Sequence, residues 1–145
     1  MFFNSKLLTM IPRHTKTIAV DFDGTIVEDR YPSIGEPLIF AFETLELLKK
    51  DGHRLILWTY REGEELAEAV SFCKKNGIEF YAVNKNYQEE IYNEVTPRKL
   101  NVDIFIDDRN IGGFIGWGKI YQLLKSAQGP DLISRKKNIF GRFKK

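Results

Sequence analysis

The chain has 145 residues, of which 43% are hydrophobic and 29% charged, and these values are typical of one soluble globular domain with a single core. Its one cysteine and two histidines exclude an internal disulfide and a zinc site built of thiolates and imidazoles, and they favour a reducing, cytoplasmic setting. No run approaches the ~20 apolar residues that span a bilayer. The net charge of +2 comes from residues 134–145, which hold six Lys or Arg and no acid.

Apolar, β-branched runs alternate along the chain with segments of helical period. The first run, at residues 17–22, has the character of a buried strand. From Pro37 the apolar residues recur at helical spacing, and Gly52 suits a left-handed stop, which predicts a helix over 37–51. The other predicted elements are a strand at 54–58, a helix at 62–76, strands at 80–83 and 103–106, and a helix at 119–127. Residues 84–102 are expected to form a loop with one or two short helical turns.

This alternation predicts an α/β fold, a three-layer Rossmann-like domain with a parallel central sheet that is covered on both faces. We expect residues 17–127 to form the domain. Residues 1–16 are interpreted as an N-terminal extension and residues 128–145 as a basic C-terminal tail.

Polar side chains follow three of the four predicted strands. Asp21 and Asp23 end the first strand, Thr59 follows the second, and Asp107 and Asp108 end the fourth. In a parallel sheet the ligand site lies beyond the carboxyl ends of the strands. Carboxylates packed ~4 Å apart there would repel each other by roughly 1 to 4 kcal/mol per pair, so a cation is expected to compensate them. Oxygen ligands without Cys or His favour Mg²⁺, above all beside a phosphate.

The period of a strand gives the two acids of the first motif a common direction. Asp21 and Asp23 face the crevice while Phe22 turns into the core. Gly24 permits a tight turn and a close approach of backbone N–H groups to an anion, and Thr59 offers a hydroxyl donor to the same anion. The stretch DFDGT alone is also typical of a plain turn. Its combination with Thr59 and the second acid pair is what indicates chemistry.

The order of these motifs is DFDGT, a Thr that closes the strand LILWT, a Lys, and a strand that ends in two acids, DIFIDD. That order resembles the haloacid dehalogenase-like superfamily of phosphohydrolases over residues 17–113. The intervals between the motifs are too short for an inserted domain, so the resemblance implies a catalytic domain without a cap.

The resemblance implies a Mg²⁺-dependent phosphatase that hydrolyses a phosphate monoester, such as a sugar phosphate or a nucleotide. Asp21 would be the nucleophile that takes the phosphoryl group, and Asp23 the general acid and base. Mg²⁺ would be held by Asp21, by the backbone carbonyl of Asp23 and by the acids Asp107 and Asp108. Which of the last two contacts the metal directly stays open.

Two lysines are candidates for the cation that neutralises the nucleophile and the phosphate. Lys99, just before the fourth strand, is favoured, whereas Lys85 would have to reach across two strands and is interpreted as a phosphate or substrate contact. Thr59 belongs with the catalytic group. The remaining predicted phosphate or substrate contacts are Gly24, Thr25, Arg61, Arg109 and Asn110.

An open site admits a large substrate, or a second copy of the chain that covers the crevice. Two other functions are considered. A phosphoacceptor signalling domain would place its acceptor Asp on the third strand, where this chain has Val83-Asn84-Lys85. A non-catalytic domain would use the basic tail to bind nucleic acid or an acidic membrane surface, although a frayed, solvated terminus is the simpler interpretation of that tail.

Overall fold

Four short parallel strands form one sheet in the computed structural model, which describes residues 15–126. The strand order is β3-β2-β1-β4, so the first strand lies between the second and the fourth. The predicted α/β, Rossmann-like fold is confirmed. In chain order the elements are β1 (Thr17–Val20), α1 (Ala41–Lys50), β2 (Arg54–Leu57), α2 (Gly63–Lys75), β3 (Ala82–Val83), β4 (Ile104–Ile106) and α3 (Trp117–Ser126).

The two central strands are apolar on both faces, as buried parallel strands are. Ile18 pairs with Leu55 and Ala19 with Ile56, in register along the ladder. Because side chains alternate across a strand, Ile18 and Leu55 join one core cluster while Ala19 and Ile56 join another on the opposite face.

The two faces of the sheet are covered differently. All three helices contribute buried side chains to the cluster around Ile18. The other face is covered by Leu100 and Val102, which belong to irregular chain between β3 and β4. Right-handed crossovers explain this division, because the units β1-α1-β2 and β2-α2-β3 place their helices on one face and the return to β4 must cross the other. The third layer is therefore irregular chain. It contains no helix, but it has two single turns, closed by hydrogen bonds from the Glu90 N–H to the Tyr87 carbonyl and from the Thr96 N–H to the Asn93 carbonyl, in agreement with the loop and short turns predicted for residues 84–102.

The first helix begins four residues later than predicted. Pro37 does not open it, because Pro37 forms an isolated antiparallel bridge with Val27. Phe40, in a left-handed conformation with φ 64°, then precedes the first helical residue, Ala41. The segment 28–37 is thus fastened to the end of the first motif and forms a flap over it.

The other boundaries shift by at most two residues, within the usual fraying of element ends. The predicted last helical residue, Ala127, the predicted tail and residues 1–14 lie outside the described residues.

Each connection in the described chain is occupied by a single helix or by the irregular layer, so residues 15–126 contain no cap domain. Within the same range, no helix has the length and apolar character needed to cross a membrane.

The last helix is joined to the first motif through Trp117. This side chain is 1% exposed, and its indole Nε1–H donates a hydrogen bond of 2.7 Å to the carbonyl oxygen of Thr25. The bond fixes the DFDGT turn from beneath, because both partners are buried.

We expect Trp117→Phe to lower the free energy of unfolding by about 1–3 kcal/mol, since the buried Thr25 carbonyl loses its donor. Urea denaturation measures the change. Tyr121→Phe is the matched control, because it removes a partly buried hydroxyl bond to Asp51 (3.1 Å) and should cost less. Equal losses in the two variants would contradict the role of the Trp117 bond.

Candidate metal centre

Three carboxylates gather where β1 and β4 end. Asp21 follows β1, while Asp107 and Asp108 follow β4, and one ligand oxygen of each lies within 4.8 Å of the others. The two strands are neighbours, and the Asp21 N–H extends their ladder by donating to the Ile106 carbonyl at 2.9 Å. The prediction that acids remote in sequence meet at this edge is confirmed for these three.

The cluster changes the acidity of Asp21. The pKa of this carboxyl is raised to about 7, chiefly by burial and also by the negative charges of Asp107 and Asp108, against hydrogen bonds from Phe22 and Thr25 that lower it. Asp21 therefore takes up a proton more readily than an ordinary carboxylate does. A cation bound among the three carboxylates would lower the pKa of Asp21 again, because it stabilises the charged carboxylate. The donor set consists of hard oxygen atoms and fits a hard divalent ion.

Gly24 lets the first motif pass close to Asp108. Its φ is +81°, and a Cβ atom at this position would lie 2.3 Å from the Asp108 carboxylate oxygen Oδ2. No larger residue fits there while Asp108 keeps its place. The close approach of the DFDGT turn to Asp108 therefore requires glycine at position 24.

The Thr25 side chain connects two acids of the cluster through hydrogen bonds. Its hydroxyl donates to Asp21 Oδ2 (3.1 Å) or Asp108 Oδ1 (3.4 Å), and it accepts the backbone N–H of Asp108 at 3.1 Å. The side chain is fully buried. Thr25 thus positions two acids, and the expectation that its side chain contacts substrate is wrong.

Asp23 points away from the three acids. Both of its carboxylate oxygens accept hydrogen bonds of 2.7 Å from Arg61, through Nε and Nη2. The metal ligand predicted for this residue is its backbone carbonyl, and that assignment stays a prediction. The side chain of Arg61 is 0% exposed and that of Asp23 is 14% exposed, so the pair is a largely buried ion pair.

Arg61 uses all of its N–H groups inside the protein. Besides the two bonds to Asp23, it donates to the carbonyl oxygens of Pro32 (2.9 Å), Ser33 (2.7 Å) and Glu65 (3.5 Å). No donor is left for a ligand, so the predicted contact between Arg61 and substrate is wrong. Arg61 instead joins the acid of the first motif to the flap.

Thr59 stands at the end of β2, as predicted. Its N–H donates to Asn84 Oδ1 at 2.8 Å, and its hydroxyl oxygen accepts the N–H of Arg61 at 3.2 Å. Within residues 15–126 the hydroxyl hydrogen has no acceptor, so it remains for one in the crevice. Asn84 was missed by the sequence analysis, although a polar residue that tolerates a left-handed φ, here 52°, is a signal for such a turn.

The two candidate lysines lie apart from each other. Lys99 places its Nζ 5.9 Å from the centre of the Phe105 ring, on the strand that leads to Asp107. Lys85 is exposed and lines a groove beside α2. In residues 15–126, neither ammonium group forms an ion pair with one of the three clustered acids.

Arg109 and Asn110 shape the turn that follows the second acid pair. The Arg109 N–H donates to Asp107 Oδ1 at 2.8 Å, and the Asn110 side-chain amide donates to the Asp107 carbonyl. Both residues are exposed. Their predicted contacts with substrate stay predictions.

The solved structure of a conserved protein from Bacteroides thetaiotaomicron is 58% identical in sequence to this chain, with a TM-score of 0.74. The match covers 78% of this chain and 92% of the Bacteroides chain. This chain belongs to the same family as that protein. The match shows the fold and the relationship and names no reaction. No family model matches the chain, and no curated protein does.

We expect Gly24→Ala to weaken metal binding strongly, because its Cβ would displace Asp108. Gly113→Ala is the matched control, since Gly113 also has a positive φ (+75°) but open space around its Cβ. Both variants should lose about 1 kcal/mol or more of stability to backbone strain. Titration with Mg²⁺ or Mn²⁺ by calorimetry should show a loss of affinity of at least about tenfold in Gly24→Ala alone; similar affinities in the two variants would rule out the steric argument.

We expect Asp21→Asn to stabilise the protein in the absence of divalent cations. The pKa of Asp21 is raised to about 7 in the folded chain from its ordinary value of 3.8, so the folded state binds the extra proton and stability falls as pH rises from about 4 to 7. Asn carries no charge at any of these pH values. The gain should be near zero at pH 4 and on the order of 1–4 kcal/mol at pH 8.

Chemical denaturation at several pH values measures this difference. Added Mg²⁺ provides the control, because it should stabilise the wild-type protein more than the variant. A variant that is less stable than the wild type at pH 8 without cations would contradict the repulsion.

Proposed function

We propose that this chain is a Mg²⁺-dependent phosphatase that hydrolyses a phosphate monoester through an aspartyl-phosphate on Asp21. The observation that carries the proposal is the gathering of Asp21, Asp107 and Asp108 within 4.8 Å, with a second acid, Asp23, held two residues after the first. If the cluster had only a structural role, no cation would compensate the repulsion among its carboxylates. The order of the motifs, which resembles that of the haloacid dehalogenase-like superfamily, supports the same chemistry.

The side chains of Asp21, Asp107 and Asp108 and the carbonyl oxygen of Asp23 would hold the metal. When bound, Mg²⁺ shields the nucleophile from the phosphate and stabilises negative charge on the transferring group. Hydrogen bonds from Thr25 and the close approach at Gly24 fix the acids before any ligand arrives, so little reorganisation is needed.

In the first step, a carboxylate oxygen of Asp21 attacks phosphorus and the bond from phosphorus to the leaving oxygen breaks. The leaving oxygen keeps the electron pair of that bond and takes a proton from Asp23. Thr59, whose hydroxyl hydrogen is free, and Lys99, beside the strand of Asp107, are suited to hold the phosphoryl oxygens. Arg109 is a further cation at the same edge.

In the second step, Asp23 takes a proton from water and the water oxygen attacks phosphorus. The bond between Asp21 and phosphorus breaks, which releases inorganic phosphate and restores the Asp21 carboxylate. Asp23 carries a proton at the start of the first step and regains one from water in the second, so the cycle leaves it unchanged. Each of its oxygens accepts one hydrogen bond from Arg61 and keeps a second lone pair, on which that proton can be held. Arg61 then serves to orient Asp23.

We expect purified protein to release phosphate from 4-nitrophenyl phosphate or a metabolite ester only when Mg²⁺ is present. Asp21→Asn should reduce the rate to background, a loss of several orders of magnitude, because no nucleophile remains. Asp103→Asn, an exposed acid at the opposite end of β4, is the matched control and should retain the activity.

Mass spectrometry of the quenched reaction identifies the intermediate, which should be a phosphoryl group on Asp21. Turnover that persists in Asp21→Asn would refute the proposed nucleophile. A long-lived phosphoryl group without turnover would instead favour a phosphoacceptor domain.

A further inference from the structure

Two tyrosines form an exposed aromatic pair beside the site. Tyr31 belongs to the flap and Tyr60 follows Thr59; their ring centres are 6.2 Å apart at an interplanar angle of 68°. Tyr60 is 90% exposed and Tyr31 48%. Aromatic rings normally bury much of their surface, so two rings that meet each other and water at the rim of a crevice present a surface for a flat ligand.

The pair is fixed in relation to the acid–base group. The Arg61 guanidinium lies over the Tyr31 ring, with 5.3 Å from Cζ to the ring centre, and over the Phe22 ring at 5.1 Å. Arg61 in turn donates hydrogen bonds to Asp23 and to the carbonyl oxygens of Pro32 and Ser33. The Tyr31 ring is therefore connected to the Asp23 carboxylate through one buried guanidinium.

This arrangement also separates the pair from the acid–base group. Arg61 contacts both Asp23 and Tyr31, so the link between the Tyr31 ring and the carboxylate runs through the guanidinium. A phenol, whose ring carries the leaving oxygen directly, would not reach the pair. In a nucleoside the sugar separates the leaving oxygen from the base, which places a flat ring farther out.

The charges at this rim favour a neutral ring over a second anionic group. Arg61, which contacts the Tyr31 ring, has all of its N–H groups bound within the protein. Arg30, also on the flap, pairs with Glu28 at 3.1 Å. Stacking on an aromatic ring is then the main interaction that the tyrosine pair offers to a ligand.

On the basis of the proposed phosphatase activity, we propose that the Tyr60 ring, which Tyr31 contacts edge to face, stacks on the nucleobase of a nucleoside monophosphate and makes it the preferred substrate class. Tyr60 is the more exposed ring and acts as a specificity-determining residue.

The test compares kcat/KM for adenosine 5′-monophosphate and ribose 5-phosphate in the wild-type protein and in Tyr60→Ala, Tyr60→Phe and Tyr87→Ala. We expect the ratio of the two values to fall about tenfold in Tyr60→Ala, as for the loss of one stacked base, and to be kept in Tyr60→Phe. Tyr87 is also exposed, at 48% against 90% for Tyr60, but lies in the irregular layer, so Tyr87→Ala should keep the ratio too. A ratio that is unchanged in Tyr60→Ala, or that falls equally in Tyr87→Ala, would overturn the inference.

A binding experiment tests this inference independently of the proposed reaction. Calorimetry with Asp21→Asn, with and without Tyr60→Ala, should show that adenosine 5′-monophosphate loses about tenfold in affinity on removal of the ring while ribose 5-phosphate does not. If no ester is hydrolysed by the wild-type protein, the phosphatase proposal fails, and the binding ratio still decides for or against the tyrosine pair. Equal losses for both ligands would refute stacking.

Discussion

Repulsion among three carboxylates is the constraint around which this domain is arranged. Asp21, Asp107 and Asp108 are brought together by the pairing of β1 with β4 and kept together by a buried threonine hydroxyl and a glycine. The strand pairing, the threonine and the glycine hold the acids in place, whereas the acids themselves repel each other. A sheet edge that concentrates like charge in this way is unfavourable by itself, and it becomes favourable when a cation is bound.

The crevice has two halves with different electrostatics. On the β4 side the acids are uncompensated within the described chain, and the pKa of Asp21 is raised to about 7. On the β2 side Asp23 is matched by Arg61, whose pKa is raised chiefly by the hydrogen bonds to Asp23. Two acids that are one residue apart in sequence thus have opposite surroundings, one open to a metal and the other held by a guanidinium. Separate surroundings are what two separate chemical roles require.

The sequence was sufficient to predict the fold class and the meeting of the three acids, because both follow from strong local signals: apolar runs such as the one before Asp21, and the rule that parallel strands share a carboxyl edge. The partner of Asp23 was not predictable in the same way. Arg61 lies 38 residues away, and a single arginine after a strand has no feature that separates a buried ion pair from a substrate contact. The helix start at Pro37 was misplaced because Pro37 also suits the bridge to Val27 that tertiary contacts select. The irregular layer over Ala19 and Ile56 carries no periodicity, so its path could be deduced only from the handedness of the crossover.

The sequence separation within the acid cluster has a thermodynamic consequence. Thr25 and Asp108, which meet at the cluster, are 83 residues apart, so an unfolded chain has no chelating arrangement to offer an ion. Any ion that binds must therefore bind the native state almost alone, and the folding equilibrium is coupled to its concentration by mass action. The domain would then draw part of its resistance to heat from the surrounding electrolyte, and its melting temperature would report how much free divalent ion its compartment contains.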